Sequence, residues 1–183
     1  MIHTILFSGH MIDAKDRDEP RFPANKENAA RQEIRKYLLR EKEMARDDLN
    51  GIASGACGGD ILFHELCGEL QIPTEMYLAL PVDEFMKESV SFAGAGWDAR
   101  FNILKEKLPV HILPEANEEN DSNVWARTNL WMLNLALKNG GKNMTLIALW
   151  DSKGGDDDGG TEHMVNVAKE QGARVEIIDI KKL

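Results

Sequence analysis

The chain has 183 residues, 43% hydrophobic and 29% charged, an ordinary balance for a globular protein able to bury a sizeable core. Its formal net charge of −9 excludes general nucleic-acid binding, which needs a basic face, while leaving room for one locally basic cleft. Two cysteines, Cys57 and Cys67, cannot make a disulfide framework, and neither a signal peptide nor an apolar run near ~20 residues is visible, so a cytoplasmic single domain over 1–183 is expected, with no membrane contact.

Taken in order, Ile2 to Phe7 reads as a first strand ending at Ser8-Gly9-His10, and in α/β proteins ligands sit beyond the carboxyl ends of strands. The next segment, Met11 to Asn25, is polar and long for a strand-to-helix connection. Its Arg17 and Arg21 suit a phosphate clamp, or equally are solvated charges on a flexible loop. A helix follows from about Ala24 to Arg46, with Ala30, Ile34, Tyr37, Leu38 and Met44 near one face.

The stretch from Gly51 to Glu65 organises the chain. A short apolar run breaks into Ser54-Gly55-Ala56-Cys57-Gly58-Gly59-Asp60. Leu62, Phe63, Leu66, Cys67 and Leu70 then recur at helical spacing. This is a strand–loop–helix unit whose glycines let a ligand approach the backbone and whose helix start favours phosphate or carboxylate. Asp60 caps that helix in the simplest reading. The spacing is neither GxGxxG nor GxxxxGK[ST], which disfavours a dinucleotide fingerprint and a P-loop. Both cysteines read as small packed residues, and His64, on an otherwise apolar helix, as structural.

Thr74 to Leu80 is the next strand, followed by a helix from Pro81 ending near Ser89, a helix from about Trp97 to Lys107 and a strand from Val110 to Leu113. Glu115 to Asp121 is an acidic surface loop. Asn123 to Leu137 is a helix whose Trp125 and Trp131 serve as core or as a base-stacking wall. Met144 to Trp150 is a continuous apolar strand, hence central and covered on both faces. Thr161 to Gln171 is a helix and Val175 to Ile178 a last strand. Strands alternating with helices in this way predict a three-layer Rossmann-like α/β fold with a mainly parallel sheet.

A second glycine turn, Gly159-Gly160-Thr161-Glu162, repeats the strand–turn–helix logic, so two loops could face each other across a crevice. Thr161 is a cap or a phosphate ligand. Glu162 is a dipole complement or, if partly buried, an acid/base or ribose-binding group. The Asp156-Asp157-Asp158 run lacks calcium-loop spacing, so no metal is expected, and no cofactor either. No catalytic triad assembles, and Ser54 does not match a GxSxG nucleophile elbow.

Ser54 to Asp60, followed by a helix, Ile72-Pro73 and a strand, resembles the SLOG superfamily. These are Rossmann-like nucleotide-ligand domains that include the cytokinin-activating LOG phosphoribohydrolases and DNA-processing protein A. Gly159-Gly160-Thr161-Glu162 more loosely resembles the P-G-G-x-G-T-x-x-E motif of the phosphoribohydrolases. With Ser8-Gly9-His10, Arg21-Phe22-Pro23, Leu80-Pro81, Phe85, Ser89-Val90 and Asn129-Leu130-Trp131, the likeness spans nearly the whole chain. It is to a domain of bacterial multidomain signalling proteins. The resemblance implies a nucleotide pocket lined by Ser8, Gly9, Ser54, Gly55, Gly58, Gly59, Asp60, Gly159, Gly160 and Thr161, to which His10, Arg21, Arg127 and Glu162 are added. The chain departs from the hydrolases where Met164 replaces their glutamate. Their catalytic arginine has only Arg100 and Arg127 as candidates.

The expected function is a sensor of a nucleotide or nucleotide-derived small molecule, of the kind used in stress or antiphage responses. The alternative is an enzyme acting at an N-glycosidic bond, with Glu162 or Asp60 as the catalytic carboxylate. Homodimerisation through the tryptophan-rich helix is compatible with both.

Overall fold

In the computed structural model, residues 1–45, 48–115, 123–151 and 160–183 are described. Arg46, the acidic tract 116–122, the Asp156-Asp157-Asp158 run and Gly159 lie outside them. The strands are β1 (His3–Gly9), β2 (Leu49–Ala53), β3 (Thr74–Leu78), β4 (Val110–Ile112), β5 (Met144–Trp150) and β6 (Arg174–Asp179). They form one sheet in the order β4-β3-β2-β1-β5-β6, every pairing parallel. The helices are α1 (Glu27–Ala45), α2 (Gly59–Glu69), α3 (Val82–Ser89), α4 (Ala95–Lys107), α5 (Val124–Ala136) and α6 (Thr161–Glu170). None of the described helices is long and apolar enough to cross a membrane.

The side-chain alternation of strands divides the core in two. Ile5, Phe7, Ile147 and Leu149 point to one face and pack with Ile34 and Leu38 of α1, Phe63 and Leu66 of α2, and Phe101 of α4. Leu6, Leu146, Ala148 and Trp150 point to the other, against Met132 and Leu133 of α5 and Met164 and Val165 of α6. The two faces make β5 apolar throughout, and all of its residues are buried. β3 ends two residues short of the expected Leu80, because Pro81, extended at ψ 147°, is already the N-cap of α3.

Helices α1, α2 and α4 are joined by ion pairs. Arg100 reaches Glu65 at 2.7 Å and Glu27 at 2.7 Å while lying 4.0 Å from the Trp97 ring centre, and Arg31 joins Glu65 to Glu69. Arg100 is thereby a tie between helices. At the amino-terminal end of the sheet, buried Glu41 accepts from Thr145 (2.9 Å) and Arg174 (2.8 Å), with His3 3.3 Å away. Burial pushes its carboxyl up, but these partners prevail and hold it below the ordinary range. Cys57 and Cys67 are both free and fully buried.

Candidate functional site

The sheet order reverses between β1 and β5, the switch point at which open α/β sheets leave a crevice beyond their strand ends. Ser8 pairs with Ala148 and Gly9 with Leu149, and the His10 amide donates to the Leu149 carbonyl at 3.0 Å. The chain therefore carries Ser8, Gly9 and His10 beside Trp150 and Asp151. A cavity of about 520 Å³ opens there. Its floor is completed by Ser54 and Ala56 after β2 and by Gly160 and Thr161 at the start of α6. Its far wall comes from Phe85, Glu88 and Ser89 of α3 and from Trp125, Thr128, Asn129 and Met132 of α5.

The glycine-rich loop is held by its own chain. The Cys57 amide donates to the Ser89 carbonyl (2.9 Å), the Gly59 amide to the His10 carbonyl (3.1 Å), and the Ile12 amide to the Cys57 carbonyl (3.2 Å). Gly58, at φ 101°, is the N-cap of α2, and a Cβ there would stand 2.6 Å from the Ile12 nitrogen. The α-carbons of Gly9 and Gly59 are also in close approach: a Cβ on Gly59 would be 3.0 Å from the Gly9 α-carbon. These glycines thus admit the β1 loop onto the α2 start. The expectation that Asp60 caps α2 is corrected: Gly58 holds that position. Asp60 sits in the first turn and accepts from the Ala56 amide at 3.3 Å. Burial pushes the Asp60 carboxyl up to about 7, against the opposing pull of the Ala56 and Gly9 amides. It lines the cavity.

His64 pins the loop from below. Nε2 lies 2.9 Å from the Ser54 carbonyl and Nδ1 3.0 Å from the Thr74 hydroxyl, so the neutral ring donates to the first and accepts from the second. Burial lowers its pKa to about 4.

On the β1–β5 side, the Ser8 and Thr161 hydroxyls are 3.1 Å apart, and His10 Nε2 is 3.3 Å from the buried Asp151 carboxylate. Burial lowers the His10 pKa, outweighing Asp151's opposite effect, so the imidazole is predominantly neutral at pH 7. Lys181 reaches the Asp151 carbonyl at 2.8 Å. The long connection after β1 is ordered by Asp13, whose carboxylate accepts from the Arg21 amide (3.0 Å) and whose amide donates to the Phe22 carbonyl (2.9 Å). Phe22 is fully buried, and this anchor carries Arg21 to the cavity. Arg17 instead turns to Asp13 and the Glu19 carbonyl.

Of the residues singled out from sequence, the structure brings Ser8, Gly9, His10, Arg21, Ser54, Asp60, Gly160 and Thr161 to one cavity. Gly55, Gly58, Gly59, Arg127 and Glu162 are not in its lining. Gly55 packs on Met76 and Phe101, Arg127 donates to the Pro114 carbonyl at 3.1 Å, and Glu162 is exposed on the first turn of α6. Gly159 is outside the described residues. Sequence reasoning did not single out Asp151, Glu88 or Thr128. Asp151 was accessible by the rule that found Ser8 to His10, since it follows a central strand's carboxyl end directly. Among the described residues no group of three His, Cys, Asp or Glu is placed to hold a metal ion.

No family model matches the sequence, and no curated protein matches it. Among solved structures, DNA processing protein A (DprA) from Streptococcus pneumoniae aligns with 96% of this chain at 12% identity and a TM-score of 0.58. The chain spans about half of that protein, 50% of its length. The Moco carrier protein from Chlamydomonas reinhardtii aligns with 99% of this chain and 92% of its own, at 12% identity and a TM-score of 0.39. The likeness to DprA is one of fold alone, a three-layer α/β domain with a parallel sheet.

Proposed function

We propose that this DprA-like domain binds a nucleotide-derived small molecule in the switch-point cavity and acts as a sensor of it. The observation that carries the reading is the cavity itself. At about 520 Å³ it falls in the range of small-molecule sites, with aromatic Trp125 and Phe85 on one wall and the Ser8, Thr161, His10 and Arg21 polar groups on the other. Such a two-sided space suits a base stacked at one end and a ribose or phosphate held at the other. Arg21 and the start of α6 are the groups suited to an anionic substituent.

The alternative, cleavage at an N-glycosidic bond, has one observation in its favour. Asp60, with its pKa near neutrality, is suited to protonate a leaving base. Glu162, exposed outside the lining, would have to move to take part.

Thermal unfolding against nucleosides, mononucleotides, dinucleotides and cyclic dinucleotides, with chromatography of the same mixtures, tests both readings. A ligand at ~100 times its dissociation constant adds about 2.7 kcal/mol, worth roughly 5–10 °C for a chain of this size. A rise without new products is the expected result. Trp125→Ala is expected to weaken the same ligand about tenfold or more, as loss of a stacking ring does. If no compound raises the melting temperature at millimolar concentration, the binding reading fails. A released free base would replace the sensor by the enzyme.

A further inference from the structure

The charges lining the cavity run against those of a polyphosphate site. Among the described residues its lining holds one Lys or Arg, Arg21, and three acidic side chains, Glu88, Asp151 and Asp60, the last with its pKa raised by burial to about 7. Arg21 belongs to the Asp151 side, where it shares a smaller cleft with Lys181. Asp151 is matched there by Lys181 at 3.9 Å and accepts a hydrogen bond from the neutral His10 ring at 3.3 Å. Asp60 and Glu88 have no such partner: among the described residues no basic side chain pairs with either. The helix start that would otherwise receive phosphates is occupied from within, with the Ala56, Cys57 and Gly59 amides given to Asp60, Ser89 and His10.

The aromatic wall stands at the uncompensated end. Phe85 and Trp125 face each other with ring centres 5.9 Å apart and planes inclined at 53°. Glu88 follows Phe85 by three residues on α3, on the same helix face, and both line the cavity. Trp125 is 37% exposed, so its ring remains open to a second partner. An electron-rich ring face beside a carboxylate attracts a planar cation more than a neutral ring of the same shape.

We propose that the ligand carries a positive charge delocalised on its planar ring, as an N-alkylated nucleobase or a pyridinium riboside does, with that ring against Trp125, which the buried Phe85 backs, and beside Glu88. The proposal rests on the nucleotide-derived reading above and narrows it. Asp60, its pKa raised by burial to about 7, also lines the cavity, and a cation brought close to it would favour its ionised form. Only a single anionic substituent is matched, at Arg21.

Probe pairs that differ in ring charge and little in shape test this. Nicotinamide riboside, a pyridinium cation, is compared with its neutral 1,4-dihydro form, and 1-methyladenosine with adenosine, by titration calorimetry on the full chain. The cationic member of each pair is expected to bind about tenfold tighter. Glu88→Gln is expected to cut that ratio to about threefold or less. Glu88 is exposed, so the substitution should leave the melting temperature unchanged. Trp125→Leu should weaken the cationic members most. Equal or tighter binding of the neutral members, or a ratio unaltered by Glu88→Gln, overturns the proposal while leaving a nucleoside site in place. If no nucleoside binds, charged or neutral, both readings fall.

Discussion

Gly58→Ala is expected to destabilise the fold by about 3–5 kcal/mol, a large share of the ~5–15 kcal/mol that holds a domain together. Two costs add. At φ 101° and ψ −125° an L side chain is strained by about 1–3 kcal/mol. The new Cβ would also meet the Ile12 nitrogen at 2.6 Å and the His10 carbonyl oxygen at 2.8 Å, which are backbone atoms and cannot swing aside. Overpacking of that kind typically costs about another 1–3 kcal/mol. Gly68 is the internal control. It lies exposed in α2, and a methyl group there would have nothing within 4 Å, so Gly68→Ala should gain about 0.5–1 kcal/mol from helix propensity. Denaturant midpoints of the two variants against the parent check both signs. A Gly58→Ala protein of parental stability would mean that the β1 loop does not rest on the α2 start.

Asp60→Asn is expected to stabilise the protein in a pH-dependent way. Burial raises the folded carboxyl to about 7, whereas in the unfolded chain it titrates near its ordinary value of 3.8. A raised folded pKa favours the folded state fully below about pH 4, and this contribution is lost as pH rises through 7. The interval of roughly three pH units, at about 1.4 kcal/mol each, amounts to about 4 kcal/mol. His64 has the opposite sign. Its folded pKa of about 4 lies below the ordinary 6.5, so its contribution is complete above pH 6.5 and lost as pH falls through 4. Between those values the two slopes oppose each other in the parent, and the parent's own pH profile hides both. The difference between variant and parent isolates Asp60: near zero at pH 4, and widening to a few kcal/mol by pH 8. A difference that does not change with pH would show that the carboxylate is solvated in the folded state.

Most of the architecture could be read from residue patterns. The apolar run of β5 gave its bounds and its central, doubly covered place, and parallel pairing followed from the alternation of elements. The order of strands, which creates the switch point, has no local signature, since it depends on how helices pack across the sheet. The glycines were legible as sites of close approach, but a glycine reports that something is near and not what it is. Here the near neighbour is the β1 loop at Gly58 and Gly59, and the Met76 and Phe101 side chains at Gly55. The tryptophans divide for a geometric reason. Six residues along a helix is about 1.7 turns, which places Trp125 and Trp131 on different faces. Trp125 goes to the cavity, and Trp131 meets Tyr77 edge-on with ring centres 4.8 Å apart. Arg21 was recognisable as a charge near a strand end, yet only the burial of Phe22 selects it over Arg17. Glu162 was drawn in by its motif, and the first turn of α6 leaves it facing solvent.

The two cysteines give the chain a built-in opening gauge. Burial pushes the Cys57 thiol up to about 12 and the Cys67 thiol well above its ordinary value, so neither offers thiolate to an alkylating reagent in the closed protein. Iodoacetamide labelling would therefore count excursions out of the native state. The two sites sample different excursions. Both pack in the same core cluster, but Cys57 lies in the loop before α2, its backbone bonded to Ile12 and Ser89, whereas Cys67 is inside α2. Detachment of the β1 loop should expose Cys57 alone, while Cys67 waits for the sheet and helices to separate. An occupant of the cavity should then slow modification of Cys57 by a larger factor than it slows Cys67, and peptide mass spectrometry of partially labelled protein would resolve the two rates.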